Sequence, residues 1–148
     1  MKTLLIIFFT MGLSPFLAFN SNPETVDITV EIVGLRSTDG KIGIALHNGL
    51  SPFPGGEPAF TREVSIEDRA SVIVIFEGVP AGEYAIAVMH DENGNGEMDV
   101  NNYGMPTEGF GFSNEADATM GPPSFAGASF LAEEDVEETV EVIYLGGY

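Results

Sequence analysis

Hydrophobic and polar residues alternate along several short segments of this chain, and no other feature of the sequence restricts the fold as strongly. In Glu24–Gly34 every second residue is apolar, which places these side chains on one face: Val26, Ile28, Val30 and Ile32. The same alternation occurs in Lys41–His47, Glu83–His90 and Thr139–Leu145. Alternation over about four to eight residues is typical of a β-strand with one buried face. Each of these segments is therefore a predicted strand.

The residues between and beside these segments predict how the strands connect. Ser37–Gly40 ends in Asp-Gly, a pair that favours the positive φ angles of a hairpin turn, so the first two strands are predicted to form a hairpin. Ser71–Glu77 is apolar on both faces, which predicts a central strand covered on each side. Gly78–Gly82 predicts a tight connection and Ala59–Ile66 a weaker strand.

No segment shows a convincing helical period, and turn residues separate the predicted strands throughout. A series of short strands with turns between them is typical of two antiparallel sheets packed on one core. We therefore predict an all-β fold, an antiparallel β-sandwich of the immunoglobulin or transthyretin kind with about seven strands and one long ordered loop.

The first residues have the layout of a signal peptide. Lys2 precedes the apolar runs Leu4–Phe9 and Met11–Leu17, and small Ala18 follows them. The apolar stretch is too short and too interrupted to span a bilayer. We predict a signal peptide over residues 1–18, with cleavage between residues 18 and 21. The expected product is a single exported domain over 22–148, located in the periplasm or outside the cell.

Charge and cysteine content restrict the partners of this domain. The chain has 23 acidic and 5 basic residues, a net charge of −18, and no cysteine. Such a field repels nucleic acid and anionic lipid head groups and attracts cations. Without disulfides, an exported domain this small depends on its core, with a bound metal as a supplement. We expect no nucleic-acid partner, no membrane span in the mature chain and a monomer; the partner is an unidentified small molecule, glycan or protein.

The long stretch after the strand that ends at His90 has no period of its own. Loops of such length are usually functional or disordered. Several aromatic residues argue against disorder, because each contributes apolar surface that can be buried: Tyr103, Phe110, Phe112 and Phe125. We predict an ordered crossing between strands. Its candidate ligand surface comprises His90, Tyr103, Phe110 and Phe112.

The start of this crossing has the ligand spacing of a calcium loop. Oxygen-bearing side chains stand at loop positions 1, 3, 5 and 9, which are Asp91, Asn93, Asn95 and Asp99. Gly96 occupies position 6, where the sharp turn needs glycine, and Glu97 occupies position 7, where a backbone carbonyl is the usual ligand. Calcium takes about six to eight oxygen ligands, so these residues are the candidate Ca²⁺ site.

Two features separate this loop from an EF-hand. Position 12 is Asn102 instead of a bidentate glutamate, and no amphipathic helix flanks the loop. We expect weak affinity, with a dissociation constant of about 10⁻⁴–10⁻³ M. The alternative is a turn in which Asp and Asn side chains cap their own backbone without metal.

The two histidines are candidates of lower rank. His90 shares a strand face with Ile86 and Val88, which favours a hydrogen-bonded core histidine, with a ligand or base role as the alternative. His47 also ends a strand and is expected to be structural or exposed, while Phe53 in the following loop is expected to cover the core. A catalytic triad would take its nucleophile from one of four serines, none with nucleophile-elbow spacing: Ser51, Ser113, Ser124 and Ser129.

Several of these residues recur in a known family. The runs His90-Asp91-x-Asn93-x-Asn95-Gly96-x-x-Asp99, Tyr103-Gly104-x-Pro106-x-Glu108-Gly109-x-Gly111-Phe112-Ser113-Asn114 and Gly121-Pro122-Pro123-x-Phe125 resemble domain of unknown function family 2141. That resemblance implies an uncharacterised exported bacterial protein and no established activity. Gly78–Val88 is similar to a strand–turn–strand unit of transthyretin-like and carboxypeptidase-regulatory-like sandwiches.

These observations favour a non-enzymatic exported module with no catalytic residue, in which a weak calcium loop at 91–102 orders the 90–125 crossing and presents a binding surface. A sugar- or peptide-binding module that uses the loop aromatics is the alternative. A metal-assisted hydrolase in which His90 and Asp91 position water ranks third, because it needs an open coordination position in a pocket.

Overall fold

The structure, a computed structural model, describes residues 24–118 and 120–145, in which the regular elements are β-strands apart from one four-residue helix. The elements are β1 (Thr25–Val33), β2 (Lys41–His47), β3 (Phe60–Ser65), β4 (Val72–Pro80), β5 (Gly82–Asp91), β6 (Gly109–Phe112), α1 (Phe125–Ala128), β7 (Ser129–Ala132) and β8 (Val136–Glu141). The predicted all-β class is confirmed. The predicted signal peptide lies outside the described residues.

The strands form two sheets. One has the order β4-β1-β8 and the other the order β3-β2-β5, with β6 and β7 both pairing with the long strand β5. Strand β8 lies parallel to β1, whereas every other pair among the described strands is antiparallel. The prediction of an entirely antiparallel fold was therefore wrong for one pair, because β8 reaches β1 by a long path and not through a hairpin.

One hydrophobic cluster takes side chains from both sheets. Alternate residues of β1 and β2 enter it: Val26, Ile28, Val30, Ile32, Ile42, Ile44 and Leu46. Phe76 is the largest fully buried side chain. Burial of one such side chain contributes about 1.5–3 kcal/mol. The faces that alternation predicted as buried in β1 and β2 are confirmed.

The predicted hairpin between the first two strands was wrong. Strand β1 pairs with β4 and β8, whereas β2 pairs with β3 and β5. The turn Ser37–Gly40 therefore carries the chain from one sheet to the other. Gly40 has the expected positive φ of 68°, and a Cβ there would overlap the carbonyl oxygen of Asp91. Turn chemistry was read correctly, but it does not determine which strands pair.

Strand β4 was predicted to be central and is an edge strand. It is the terminal strand of the three-stranded sheet, with β1 on its paired side. Its outward side chains Ile73 and Ile75 are 63% and 48% exposed. The tight connection at Gly78–Gly82 is confirmed, because only Ala81 separates β4 from β5. Among the described residues, no helix is long and apolar enough to cross a membrane.

Candidate ligand-binding site

The predicted calcium loop winds around the side chain of Asp91, at the end of β5. This side chain is 1% exposed. Its Oδ1 accepts hydrogen bonds from the backbone N–H groups of Gly94 (2.7 Å) and Asn95 (3.1 Å), and its Oδ2 accepts one from Gly96 (2.8 Å). Gly94 and Gly96 have φ angles of 75° and 82°, which glycine adopts without strain. Position 6 of the loop therefore makes the sharp turn that its glycine predicted.

The other predicted ligands meet at Asp99. The amide Nδ2 of Asn93 donates to Asp99, and that of Asn95 lies 3.2 Å from both carboxylate oxygens. The amide oxygens of Asn93 and Asn95 accept from the backbone N–H groups of Asn95 (2.9 Å) and Glu97 (2.8 Å). The exposed residue Glu97 thus contributes its backbone N–H. In this arrangement the loop caps itself, and a cation would have to turn both amide oxygens inward.

The predicted calcium site can be checked against the places where acidic, histidine and cysteine side chains come together in the structure. Over residues 24–118 and 120–145, no three such side chains stand close enough to hold a metal ion. The predicted site takes carboxylates from only two loop positions, Asp91 and Asp99. Its other predicted side-chain ligands include asparagine amide oxygens, which are not among these three side-chain types. The site in this conformation is therefore an Asx-capped turn with its oxygen atoms concentrated in one loop.

Glu108 ties the two ends of this loop together. Its side chain is 4% exposed. Its Oε1 accepts from the backbone N–H of Glu92 (3.0 Å) and its Oε2 from that of Asp99 (3.1 Å). One buried carboxylate therefore satisfies two backbone donors that the loop would otherwise leave unpaired.

A charged pair fixes the loop to the turn before β2. The Nε of Arg36 donates to Oε1 of Glu92 at 3.0 Å, and Ser37 Oγ donates to the same oxygen at 3.1 Å. The hydrogen bond from Arg36 lowers the pKa of Glu92 below its ordinary value. The Arg36 guanidinium also lies 4.4 Å from the centre of the Tyr144 ring, a distance at which a cation and an aromatic face attract each other.

His90 is a core histidine, as its strand position favoured. It is fully buried, with Nδ1 2.6 Å from the Tyr144 hydroxyl and Nε2 2.8 Å from the carbonyl oxygen of Asp39. A carbonyl only accepts, so Nε2 carries a proton and donates to Asp39. Both ring nitrogens have partners, which leaves none with which His90 could position a water molecule.

The predicted aromatic surface does not form one open patch. Tyr103 is 87% exposed, whereas Phe110 is 7% exposed. Phe112 is half-buried, and its ring centre lies 5.9 Å from that of Phe110. The sequence grouped these three rings, but the structure leaves Tyr103 in solvent and packs the other two against the sheet.

A large apolar groove runs over the outer face of the five-stranded sheet, opposite the core. The core takes Ile42, Ile44 and Leu46, so the intervening Gly43 and Ala45 face outward, opposite Met89 and Ala87 of β5. On the other side of β5, Phe110 of β6 pairs with Met89 and Phe112 pairs with Ala87, so both rings extend this outer face. Residues with little or no side chain thus form the floor, and larger apolar residues border it.

The long crossing supplies the walls of this groove, which has a volume of about 1120 Å³. Its lining includes every methionine among the described residues: Met89, Met98, Met105 and Met120. Met98 and Met105 belong to the crossing that the Asp91 loop and Glu108 hold in place, so the oxygen-rich loop and the groove wall are parts of one segment.

His47 occupies the same outer face, two residues beyond Ala45 on β2. It is 1% exposed, and neither ring nitrogen has a hydrogen-bond partner among the described residues. Burial lowers the pKa of His47 below its ordinary value. The Phe53 ring covers it, with ring centres 5.1 Å apart, and also contacts Phe112 at 5.7 Å and Phe125 at 6.3 Å. Phe53 therefore covers His47, on the outer face of the sheet opposite the core.

The comparisons with known proteins identify a family. Residues 30–140, about three quarters of the chain, match the sequence model of a family described as "Uncharacterized protein conserved in bacteria (DUF2141)". The chain belongs to the DUF2141 family. No curated protein and no solved structure shows significant similarity to it. The match includes the floor of the groove, the Asp91 loop and β6, whereas Tyr144 lies beyond its last residue.

The four serines considered for a triad have structural partners in this DUF2141 domain. Ser113 Oγ accepts from the N–H of Ile86 (2.8 Å) and donates to the carbonyl of Ala128 (2.6 Å). Ser51 donates to the carbonyl oxygen of Glu57, and Ser129 donates to the carboxylate of Glu83. The Ser124 hydroxyl accepts from the backbone N–H of Gly127. The geometry therefore provides no serine–histidine pair among these candidates.

Sequence reasoning missed Arg36, Tyr144 and the orphaned ring of His47 in this DUF2141 domain. Arg36 and Tyr144 lie 108 positions apart and meet only through the fold. One signal was present for the groove, since Gly43, Ala45 and Ala87 are unusually small for the outer face of a sheet. Small residues in a strand interior often mark close approach by another group.

Proposed function

We propose that this DUF2141 protein is a non-enzymatic binding module that holds an apolar ligand in the groove on its five-stranded sheet. The observation that supports this most directly is the composition of the outer face. An antiparallel sheet with one face on the core usually carries polar side chains on the other, yet Gly43, Ala45, Ala87 and Met89 stand here.

The size and lining of the groove support the same proposal. Small-molecule sites are mostly apolar clefts of about 300–1,000 Å³, and this groove measures about 1120 Å³. Methionine side chains are flexible and polarizable, so a methionine-rich wall adapts to apolar ligands of varied shape.

Gly43→Val gives a direct test. A Cβ at Gly43 would meet only Met89 Cε, at 3.8 Å, so valine fits the strand and fills the floor of the groove. We expect wild-type protein to bind the neutral fluorescent probe N-phenyl-1-naphthylamine and Gly43→Val to lose at least tenfold in affinity with an unchanged melting temperature. Equal binding by both proteins would refute the groove as the site.

We propose that the 91–102 loop is a weak calcium site that stiffens the wall of the groove. The supporting observations are the spacing of Asp91, Asn93, Asn95 and Asp99, the positive φ of Gly96 and the convergence of both asparagines on Asp99. The capped turn remains the competing explanation, because the same atoms bond to loop N–H groups.

Isothermal titration of the mature protein with calcium tests this site. With a dissociation constant near 0.1 mM, calcium at about 1 mM would add about 1.4 kcal/mol of stability. Asp99→Asn is the matched variant, since it keeps the size of the side chain and removes its charge. Absence of heat, together with equal melting temperatures in calcium and in chelator, would leave the capped turn as the explanation.

We infer export from the signal-peptide layout of residues 1–18, and we propose that the two sheets form a sandwich of the immunoglobulin or transthyretin kind, as their shared core supports. N-terminal sequencing of the secreted or periplasmic product tests the export. A start between residues 19 and 22 is expected, and an intact Met1 would contradict it.

A further inference from the structure

His47 is the one described side chain with buried polar atoms that lack any hydrogen-bond partner. Both ring nitrogens are buried, and no described group of the protein lies within hydrogen-bond distance of either. Native proteins rarely tolerate this arrangement, and such a group commonly marks a functional site or an absent water or ion. The orphaned ring therefore needs an explanation that the fold alone does not supply.

The position of His47 suggests the explanation. Alternate residues of a strand project from the same face about 6.6 Å apart, so the imidazole follows Ala45, a residue of the groove floor, along β2. Phe53 stands over the imidazole and contacts Phe112, a lining residue. His47 and Phe53 stand just beyond the residues that line the groove, so a ligand reaches the imidazole only when the half-buried Phe53 ring turns aside.

We propose that His47 is the polar anchor of this groove, and that the ligand is a free, neutral, lipid-like molecule with an elongated apolar body and a hydroxyl or carbonyl group at one end. This inference rests on the proposed function, because it assumes that the groove is the binding site. An imidazole supplies one donor and one acceptor, so it can donate to a carbonyl or accept from a hydroxyl.

The charges around the groove favour a neutral ligand over a fatty acid. Two charged residues line it among the described residues, Arg62 and Glu63. Glu63 pairs with Lys41 at 2.8 Å, and the Arg62 guanidinium lies 5.3 Å from the centre of the buried Phe76 ring. Arg62 stands opposite the core-facing Ile44, so its charge lies on the core side of the sheet and not in the groove, and Glu63 repels a carboxylate. Burial also lowers the pKa of His47 below its ordinary value, which disfavours a charged imidazole.

The field of the whole protein supports the same choice. A net charge of −18 repels anions and anionic membrane surfaces, so a free neutral molecule is favoured over a lipid held in a bilayer. The apolar lining then binds the body of the ligand, and His47 selects for its polar end. One hydrogen bond that is well made in a buried site contributes about a tenfold preference.

Displacement of N-phenyl-1-naphthylamine by three ten-carbon competitors tests the anchor. The competitors are decan-1-ol, decanoate and 1-chlorodecane, which differ only at the terminal group. With wild-type protein we expect decan-1-ol to displace the probe at a concentration about tenfold lower than either of the other two. His47→Phe, which keeps an aromatic ring beside Phe53, should lose the preference for the alcohol, measured as the ratio of the displacing concentrations of 1-chlorodecane and decan-1-ol, whereas His47→Gln should keep part of it.

The outcomes separate this inference from the proposed function. If wild-type protein binds the probe but treats decan-1-ol and 1-chlorodecane alike, or prefers decanoate, His47 is not the anchor and the groove still stands. An alcohol preference that persists in His47→Phe also overturns the inference. If wild-type protein binds no probe and Gly43→Val behaves identically, the proposed function itself fails. Melting temperatures of all variants confirm that each is folded.

Discussion

At the scale of single residues, His47 shows a conflict between stability and ligand binding. A buried donor or acceptor without a partner costs about 1–3 kcal/mol. His47 keeps two such atoms buried, in a chain that has no disulfide to offset the cost. A residue that lowers the stability of the ligand-free protein is expected at a site where a bound ligand supplies the missing hydrogen bond.

His47→Phe should therefore stabilise the ligand-free protein. Phenylalanine keeps the edge contact with Phe53 and removes both unpaired nitrogens. The larger ring offsets part of the gain, so we expect a net increase of about 1 kcal/mol in the free energy of unfolding. Urea unfolding at pH 7.5 measures it. A loss of stability would show that water or another group satisfies the imidazole.

The pair of Arg36 and Glu92 should make stability depend on pH in the acid range. The pKa of Glu92 is lowered in the folded protein, chiefly by the hydrogen bond from Arg36. Its contribution is therefore fully present above the ordinary glutamate pKa and is lost as the pH falls through the lower folded value. Arg36 is 37% exposed, so we expect an effect of about 1 kcal/mol or less.

Arg36→Gln is the control for this dependence. Unfolding free energies of wild type and variant, measured between pH 6 and pH 3, should differ most at pH 6 and converge as Glu92 becomes protonated. Curves that stay parallel over the whole range would show that the pair contributes nothing to the pH dependence.

At the scale of elements, the sequence pattern found the long strands and the weaker strand at Ala59–Ile66, but it missed β6 and misplaced the last strand, which was predicted over Thr139–Leu145 and spans Val136–Glu141. Strands β1, β2 and β5 bury every second residue, so their pattern is visible in the sequence. Strand β6 has the sequence Gly-Phe-Gly-Phe, and glycine is depleted in strands. Neither glycine has a positive φ, and both allow β6 to approach residues 140–144 closely.

Gly111→Ala tests this close approach. A Cβ at Gly111 would overlap the carbonyl oxygen of Glu141 and lie 2.8 Å from Cγ1 of Val140. Backbone cannot move aside cheaply, so we expect a loss of about 1–3 kcal/mol in unfolding free energy. Gly43→Ala is the matched control on the same sheet, where the new methyl group has room and the change should be neutral or slightly stabilising. Equal effects at both positions would contradict the packing argument.

At the scale of the whole molecule, the sequence predicted the class of fold and not the pairing of strands. Asp39-Gly40 formed the expected turn, yet the strands on either side belong to different sheets, because local turn chemistry carries no information about distant partners. The same distinction between local and distant residues applies to the candidate site. The Asp91 loop is contiguous and was found from its spacing, whereas the groove depends on the register of β2, β5 and β6.

Charge should keep copies of the molecule apart. Strand β4 has one edge that no other described strand pairs with, and it exposes Ile73 and Ile75. Such an edge is a template for association with another strand. The net charge of −18 opposes such contact, and salt screens it, since the Debye length falls from about 30 Å at 0.01 M to about 3 Å at 1 M. We expect light scattering to show monomers in low salt and association in 1 M NaCl, reduced by Ile73→Thr. Identical behaviour of the variant would assign the contact to another surface.

The parallel pair of β1 and β8 sets the order in which the domain can be completed. The backbone N–H of Asp27 bonds to the side chain of Asp135, 108 positions later in the chain. Closing so large a loop delays folding, and β-proteins rich in such distant pairings fold in about milliseconds to seconds. Strand β1 can pair with β4 first, but its other edge stays without a partner until Val136–Glu141 has been synthesised. A chain of this topology therefore completes its three-stranded sheet late in synthesis.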